Sequence, residues 1–252
     1  MVHKNLILFL FTLSFWNLIA QTERNSDAYF GIQYKPLMAA NFIGKSTMTL
    51  KDSSFESTFS QNLGYSLGGI IRVQIGKNIA IETGINQVKR NYNVNYISLD
   101  SNKTASKSLS FTSFDIPINT LFFVKMTEKI FLNTSLGPSI VFNPSNVASQ
   151  IAYNKYTIFK AEGRRKSIFS AELNANIGFE YRTKKSGFFY LGTSARIPFA
   201  PIFNVATMYE SNGKKHVQYG GINGTYLSLD FRYFFSNIKK KESIFQPGPI
   251  EQ

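Results

Sequence analysis

Residues 63–75 read LGYSLGGIIRVQI, and their side chains alternate between two kinds. The odd positions, from Leu63 to Ile75, are mostly apolar or aromatic, whereas the even positions are mainly Gly, Ser, Arg72 and Gln74. Successive side chains of a β-strand point to opposite faces, so a period of two indicates a strand with one apolar and one polar face. An α-helix would spread the same residues around its circumference. The pattern therefore predicts a long β-strand.

The same alternation recurs along the chain. It is equally clear from Phe169 to Arg182, where apolar and aromatic residues alternate with Ser, Glu, Asn and Gly. Reading the chain in this way predicts eight strands. They cover residues 28–38, 62–76, 79–98, 107–126, 130–143, 168–182, 188–199 and 221–235. In the third strand the apolar residues change parity between Asn86 and Asn91, which we interpret as a β-bulge.

The connections between these strands alternate in length. Three are tight: 77–78, 127–129 and 183–187. Four are longer: 39–61, 99–106, 144–167 and 200–220. Outer-membrane barrels have short periplasmic turns and long outer loops, and an even number of strands returns both chain ends to one side. The sequence thus predicts an all-β fold, an eight-stranded antiparallel up-and-down transmembrane β-barrel, with ten strands as the alternative.

The two strand faces distinguish a membrane barrel from a soluble β-protein. The polar face consists largely of Gly, Ser, Asn and Thr, which suit the crowded interior of a narrow barrel. Aromatic residues are expected near both ends of the outward rows, as in the girdles of membrane barrels. The girdle nearer the long loops is predicted from Tyr65, Tyr92, Tyr96 and Phe114. The girdle nearer the tight turns is predicted from Phe179, Tyr181, Phe189, Tyr233 and Phe235.

The N-terminus has the order of regions of a secretory signal. A short start with Lys4 precedes 14 mostly apolar residues, 6–19, which read LILFLFTLSFWNLI. A membrane-spanning helix needs roughly 20 apolar residues, so this segment is short for a membrane anchor. We predict a cleavable signal peptide at 1–20, a barrel domain at 21–235 and a disordered periplasmic tail at 236–252. The expected location is the outer membrane.

Composition excludes several functional classes. The chain has no cysteine, and its two histidines are His3 and His216. Disulfides, thiolate sites and closed transition-metal sites are therefore not expected, and no cofactor is predicted. A hydrolase built on His216 has little support, because abundant serines make a nearby hydroxyl uninformative. The net charge of +13 could indicate nucleic acid, but export from the cytoplasm argues against that partner.

Charged residues on the polar face form the first candidate site. By parity, five cations and five acids point into the lumen. They are Arg72, Lys125, Arg182, Arg196 and Arg232, with Glu82, Asp115, Glu172, Glu180 and Asp230. The tight turn at 77–78 would set Arg72 opposite Glu82 across the hairpin. Isolated charges in a narrow lumen are costly, so we predict ion pairs that close it. The alternative is a narrow channel.

A basic cluster in the loop 144–167 forms the second candidate site. It consists of Lys155, Lys160, Arg164, Arg165 and Lys166, with Glu162 as the only acid. On the outer surface such a cluster would attract anionic lipid and lipopolysaccharide head groups. A loop whose charges are simply solvated remains the alternative.

Short motifs resemble a known family. Phe114-Asp115-Ile116-Pro117-Ile118-Asn119 with Lys125, then Gly137-Pro138, and then Ile177 to Tyr181 resemble successive strands of the small outer-membrane β-barrel family common in Bacteroidota. The resemblance spans about residues 60–235 and implies the barrel fold. Some members resemble a component of a secretion and gliding apparatus. A periplasmic or envelope partner protein is left open for the tail at 236–252, with a plain extension of the chain as the alternative.

The function expected from the sequence is a non-enzymatic, monomeric outer-membrane barrel with a filled lumen and a structural or surface-binding role. A soluble secreted β-barrel that carries a small apolar ligand is the alternative from another class. The sequence names no ligand.

Overall fold

A computed structural model describes residues 28–41, 43–100, 102–154, 156–183 and 186–236. These residues form thirteen β-strands, and no helix among them is long and apolar enough to span a membrane. In chain order the strands are β1 (Ala28–Ala39), β2 (Thr47–Lys51), β3 (Phe55–Gln74), β4 (Ile79–Ser98), β5 (Thr104–Lys125), β6 (Ile130–Phe142), β7 (Val147–Asn154), β8 (Thr157–Arg165), β9 (Phe169–Arg182), β10 (Phe188–Pro198), β11 (Phe203–Ser211), β12 (Lys214–Ile222) and β13 (Tyr226–Phe234).

Eight of the strands close into an antiparallel ring. The order around it is β1-β13-β10-β9-β6-β5-β4-β3, and β3 pairs back onto β1. Each ring strand overlaps one of the eight segments predicted from the sequence, so the predicted strand number of eight is confirmed and ten is wrong. Closure satisfies every strand edge of the ring, as a bilayer requires because its core offers no water to unpaired backbone groups.

The outer face of the ring is a band of apolar side chains. Even positions of β1, such as Phe30 and Ile32, and odd positions of β4, such as Ile81 and Ile85, are exposed on it. The alternating inner positions are buried. Exposed apolar residues around a whole ring would be unfavourable in water and are favourable against lipid.

The ring strands extend well beyond this band on one side. β3, β4 and β5 contain 20, 20 and 22 residues, about twice the roughly 9–11 residues that a strand needs to cross a bilayer. The tight turns all lie at the opposite end, between Gln74 and Ile79, Lys125 and Ile130, and Arg182 and Phe188. We call the two ends the loop end and the turn end.

Three of the segments predicted as long loops contain strands, so the prediction of loops there is wrong. The segment 39–61 contains β2 and the first part of β3, 144–167 contains β7 and β8, and 200–220 contains β11 and most of β12. The predicted loop 99–106 is a short turn, because β5 already begins at Thr104. Five strands were missed because they are short and acquire their apolar contacts only from distant parts of the chain.

These strands build a second module on top of the barrel. β7, β8, β11 and β12 form a four-stranded sheet in the order β12-β11-β8-β7, which we call sheet B. Sheet B packs against β2 and the loop-end halves of β3, β4 and β5. Three ring pairs cross between the layers: Phe111–Phe203, Tyr96–Phe159 and Phe55–Tyr209, with centroids 4.1, 5.2 and 5.7 Å apart. The module is therefore a β-sandwich with a buried apolar core.

Strand β4 shows how one strand serves both modules. Its even residues point inward from Ala80 to Ser98 without a break. In the barrel the inward residues are polar, such as Glu82 and Asn86, whereas in the sandwich they are apolar, such as Tyr92 and Val94. The parity change that suggested a bulge between Asn86 and Asn91 is therefore an exchange of polarity between the two faces.

The real bulge lies across the ladder, in β3. Asn62 pairs with Asn91 and Tyr65 pairs with Lys89, so β3 contains one extra residue in this interval. The extra residue changes the parity of β3. Odd-numbered residues point inward in the first half of the strand, and even-numbered residues point inward in the second half.

Two residues of the predicted loop-end girdle were assigned to the wrong face. Tyr92 and Tyr96 are buried in the sandwich core, since they point inward where the inside is apolar. The outer face beside them is polar instead: Ser106, Ser108 and Ser110 of β5 donate hydrogen bonds to Asn95, Asn93 and Asn91 of β4, at 2.8, 3.1 and 2.8 Å. A polar outer face of this kind suits water rather than lipid.

The sandwich core gives a first prediction. Phe159→Ala removes a fully buried ring from the inter-sheet core and should lower the free energy of unfolding by about 3–5 kcal/mol. Tyr156→Ala is the matched control, because Tyr156 is exposed and lies three residues before Phe159, and it should cost less than about 0.5 kcal/mol. Urea unfolding in micelles measures both, and limited proteolysis should show sheet B opening first. Equal effects of the two substitutions would contradict the sandwich.

Candidate functional site: a filled lumen and an exposed sheet

The lumen contains a continuous chain of ion pairs at its turn end. Arg72 of β3 contacts Glu82 of β4 at 3.1 Å and also pairs with Glu180 of β9. Glu82 binds Arg232 of β13 through its other oxygen at 2.6 Å. These four side chains are almost fully buried. The carboxylate of Glu82 therefore bridges two arginines from β3 and β13, which are separated by β1 in the ring, whereas the Arg72–Glu180 pair joins the opposite strands β3 and β9.

Further pairs extend this chain in both directions. Asp230 accepts from Arg232 at 2.8 Å and from Lys35 of β1 at 2.9 Å. At the other extremity Arg182 reaches Glu180 at 2.6 Å and is partly exposed. The turn-end network thus has four cations and three acids from β1, β3, β4, β9 and β13. Buried charges of this kind are tolerated only when paired, and the alternating order pairs each one.

Aromatic rings close the turn end below this network. The Arg182 guanidinium lies 4.2 Å from the ring centroid of Phe131 and 4.9 Å from that of Phe123. Arg72 lies 3.9 Å from the centroid of Phe234. Cation–π contacts of this type gain strength where water is excluded. The rings and guanidinium groups together fill the turn end of the lumen.

A second network lies nearer the sandwich. Arg196 of β10 contacts Asp115 of β5 at 2.6 Å and Glu172 of β9 at 3.7 Å. Glu172 also pairs with Arg90 of β4. Ser139 accepts a hydrogen bond from Arg196 at 2.9 Å. Two arginines and two carboxylates therefore span the middle of the barrel.

Arg90 marks the boundary between the polar lumen and the apolar core. Its guanidinium donates to the Ser113 hydroxyl at 3.0 Å and to the carbonyl oxygen of Gly224 at 3.2 Å. It also lies 5.0 Å from the ring centroid of Tyr226. Tyr226 packs with Leu37 and Val88 in a small apolar cluster. Beyond this level, toward the loop end, most inward side chains are apolar and pack in the sandwich core.

Neutral polar side chains occupy the space between the networks. The phenol of Tyr190 donates to Asn176 at 2.7 Å, and Asn176 donates to Asp230 at 3.0 Å. The Tyr190 ring crosses Gly178 and Gly192, where a Cβ would come within 2.5 and 2.1 Å of the phenol oxygen. Glycine at these two positions is therefore required for the ring to lie across the lumen.

Nine of the ten residues predicted for the lumen lie in these two networks. They are Arg72, Glu82, Asp115, Glu172, Glu180, Arg182, Arg196, Asp230 and Arg232. The assignment of Lys125 is corrected. It has inward parity, but it is the last residue of β5, is exposed, and forms no ion pair with the described residues.

Sequence reasoning missed two lumen cations, Lys35 and Arg90. Lys35 shares its face of β1 with Gln33, and this alternation could have revealed it. Arg90 lies in the part of β4 that was interpreted as a bulge, so its direction could not be assigned. An unbroken parity along β4 would have placed it inward with Glu82.

The basic cluster is corrected from a loop to a strand. Lys160, Arg164 and Arg165 lie on β8, and Lys166 follows it, whereas Lys155 lies outside the described residues. Lys160 and Arg164 point to the outer face of sheet B and flank Glu162, with 3.8 Å between Arg164 and the carboxylate. Hydrogen bonding from Lys160 lowers the pKa of Glu162. This acid is therefore ionised at neutral pH and offsets one of its two cationic neighbours.

Arg165 has a different, structural role. Its guanidinium donates to the backbone carbonyl oxygens of Asn143, at 3.1 Å, and Pro144. Its own amide donates to the side chain of Asn146 at 3.0 Å. These bonds fix the connection from β6 to sheet B at the mouth of the barrel.

The outer face of sheet B is a second feature that the sequence did not reveal. It contains a groove of about 670 Å³. Charged or amide residues on its rim are Lys160, Glu162, Arg164 and Asn204, and its apolar or aromatic residues include Met208, Val217 and Tyr219. Tyr219 is 78% exposed. Such an exposed aromatic residue beside several polar groups is typical of a binding surface.

The family model that matches the chain agrees with the barrel. The family model described as "Outer membrane protein beta-barrel domain" matches residues 19–243. The chain is similar to the outer membrane protein OprG from Pseudomonas aeruginosa, with 10% identity over 83% of this chain and 97% of that one and a TM-score of 0.48. The transport unit of the autotransporter AIDA-I from Escherichia coli matches with 11% identity over 86% and 92%, and a TM-score of 0.27. No curated protein matches the chain.

The lumen network gives a second prediction. Glu82→Gln removes the carboxylate that both Arg72 and Arg232 contact, so the free energy of unfolding should fall by about 3–5 kcal/mol. Glu56→Gln is the matched control, since Glu56 pairs with Lys51 at 3.2 Å on the surface, and it should cost less than about 1 kcal/mol. Urea midpoints of the barrel in micelles compare them. A Glu82→Gln barrel as stable as the control would show that the network contributes nothing.

Proposed function

The chain belongs to the outer membrane protein beta-barrel domain family, and we propose that it is a closed, non-enzymatic barrel that anchors a binding module at the cell surface. The observation that carries the proposal is the filling of the lumen. Paired arginines and carboxylates span it, aromatic rings close its turn end, and an apolar core closes its loop end. These features favour a barrel that anchors the sandwich over one that conducts solutes.

A surface-binding role fits the size of the sandwich. Strands β3, β4 and β5 continue far beyond the apolar band, β2 pairs with β3 beside them, and the four strands of sheet B add a second layer. The long-loop end of outer-membrane barrels faces the exterior. On this basis the sandwich is extracellular, and the turn end with the predicted tail faces the periplasm. The predicted signal peptide and residues 237–252 of the predicted tail lie outside the described residues.

The proposal includes no catalytic step. His216, the histidine that a hydrolase would need, lies on β12 with its ring stacked near Tyr209, at 6.3 Å between centroids. The proposal also treats the monomer as the working unit, because one chain closes the ring without an open edge. A periplasmic or envelope protein would meet the turn end, and co-purification from membranes tests for one.

The two alternative functions predict different interiors. A narrow channel needs a continuous water path, and a carrier of a small apolar ligand needs an apolar cavity. The described lumen residues are mainly charged, amide and hydroxyl groups in contact with one another, and the apolar space of the sandwich is filled by its own aromatic rings. Both features favour an anchored binding surface.

Bilayer recording tests the closed lumen. The full-length protein reconstituted into planar bilayers should give no steady conductance, because the side chains of both networks occupy the path. Arg232→Ala with Arg196→Ala removes one guanidinium from each network and should produce openings, which shows that the measurement detects a path when one exists. Large and steady conductance of the unaltered protein would overturn the proposal in favour of a channel.

Labelling of single cysteines tests the orientation. The chain has no cysteine, so each substitution introduces one reactive thiol. Lys107→Cys on the sandwich should react with a membrane-impermeant maleimide on intact cells, whereas Lys129→Cys in a tight turn should react only after the outer membrane is opened. The reverse pattern would place the sandwich in the periplasm and contradict the proposed surface role.

A further inference from the structure

The groove of sheet B has a small-residue floor between larger side chains. Ala206 of β11 pairs with Tyr219 of β12 on one side and with Glu162 of β8 on the other. One row nearer the barrel, Asn204 lies between Gly221 and Arg164. The small side chain of Ala206 leaves room between the Tyr219 ring and the charged residues of β8. The groove volume of about 670 Å³ falls in the roughly 300–1,000 Å³ range of small-molecule sites.

The groove offers two kinds of contact side by side. The Tyr219 ring presents an exposed apolar face with a polar edge, which suits the faces of sugar rings. Across the floor, Arg164 and Lys160 share the single carboxylate of Glu162, so one positive charge is left over. An arginine fork binds phosphate oxygens well. The surface thus matches a ligand with both sugar rings and negative charge.

The groove lies directly above the lipid-facing wall of the barrel. Lys166 follows β8 and its amide donates to the Ile202 carbonyl at 3.1 Å, beside the start of β11. Only two residues separate Lys166 from Phe169, the exposed first residue of β9 on that wall. Phe199, also exposed, directly follows β10 on the same wall, and its amide donates to the carbonyl of Ala171 at 3.1 Å. Apolar wall, exposed cations and groove therefore follow one another without a gap.

We propose that this surface binds a phosphorylated glycolipid of the outer leaflet, of the lipopolysaccharide type. Its acyl chains would lie on the wall beside Phe169 and Phe199, its phosphates at Arg164 and Lys166, and its first sugars over Tyr219. The proposal rests on the orientation given under Proposed function, because only an extracellular sandwich meets such a lipid.

The order of the surface selects this occupant over others. A free oligosaccharide would explain Tyr219 but leave the cations beside the lipid wall without a partner. An ordinary phospholipid would explain Lys166 and the wall, but its head group is too small to extend along β8 and β12 as far as Tyr219. A glycolipid with phosphate between its acyl chains and its sugars matches all three parts in the order in which they occur.

Binding of purified rough lipopolysaccharide, which has lipid A and a short core, to the full-length protein in micelles tests the proposal. Arg164→Ala with Lys166→Ala should weaken binding about tenfold or more, and Tyr219→Ala should also weaken it by severalfold. The matched controls are a double substitution of two other exposed cations, Lys45→Ala in the β1–β2 connection with Lys107→Ala on β5, and the single substitution Tyr156→Ala. The controls should bind as the unaltered protein does, and heat-modifiable migration on gels checks that every variant is folded.

Chemical variants of the probe separate the possible ligands. Dephosphorylated lipopolysaccharide should bind weakly and lose its dependence on Arg164 and Lys166. The sugar-free phospholipid phosphatidylglycerol should not respond to Tyr219→Ala, and free inorganic phosphate should not compete. The glycolipid site would be overturned if lipopolysaccharide bound equally well to the unaltered protein, to the Arg164→Ala, Lys166→Ala double variant and to Tyr219→Ala. Capture of a dephosphorylated core oligosaccharide as strongly as the whole glycolipid would replace it with a simple sugar site.

The glycolipid site and the proposed function fail in different experiments. If Lys107→Cys is not labelled on intact cells, the surface role itself is wrong. If Lys107→Cys is labelled but lipopolysaccharide binding does not depend on Arg164, Lys166 or Tyr219, only the glycolipid site is wrong.

Discussion

The structure depends on one constraint: three strands pass from lipid into water without ending. Within the bilayer the outside of β3, β4 and β5 must be apolar, and the narrow inside can hold polar groups. Beyond the bilayer the outside meets water, and the inside must supply an apolar core. Strand β4 meets both demands by exchanging the polarity of its faces between Asn86 and Tyr92 while its residues keep the same direction. Arg90 lies at this exchange and binds groups on both sides of it.

The exchange explains why the inward side chains of the barrel are charged and paired. Because the outer face of the barrel strands is apolar, their polar residues lie on the inner face. A ring of eight strands is narrow, so these inward side chains lie close to one another. Charges there must meet opposite charges, and Glu82 and Glu172 each contact two arginines. The rigid ring that results holds the sandwich at a fixed height, and so places the outer face of sheet B directly above the barrel wall.

The sequence predicts the barrel well because the bilayer imposes a simple rule on it. Alternation located all eight ring strands, and their parity assigned nine inward charges. The prediction failed beyond the barrel, where the outer face of the strands is polar and the inner face is apolar. Tyr92 was assigned outward because apolar residues mark the outer face within the barrel. In the sandwich the apolar residues of β4 lie on the inner face instead. Strands such as β7 and β8 were missed because their pairing depends on residues far away in the chain, and Lys125 was misplaced because parity does not say where a lumen ends.

Site-directed spin labelling along β4 tests the exchange most directly, since the chain has no other cysteine to label. Single cysteines at outward positions Ile81, Ile85, Asn93 and Asn95 would each receive a nitroxide in the protein reconstituted into lipid. High accessibility to oxygen and low accessibility to a water-soluble nickel chelate are expected at the first two positions, and the opposite at the last two. Lipid-type accessibility at all four positions would contradict the exchange of polarity, because the strand would then remain in the membrane to its end.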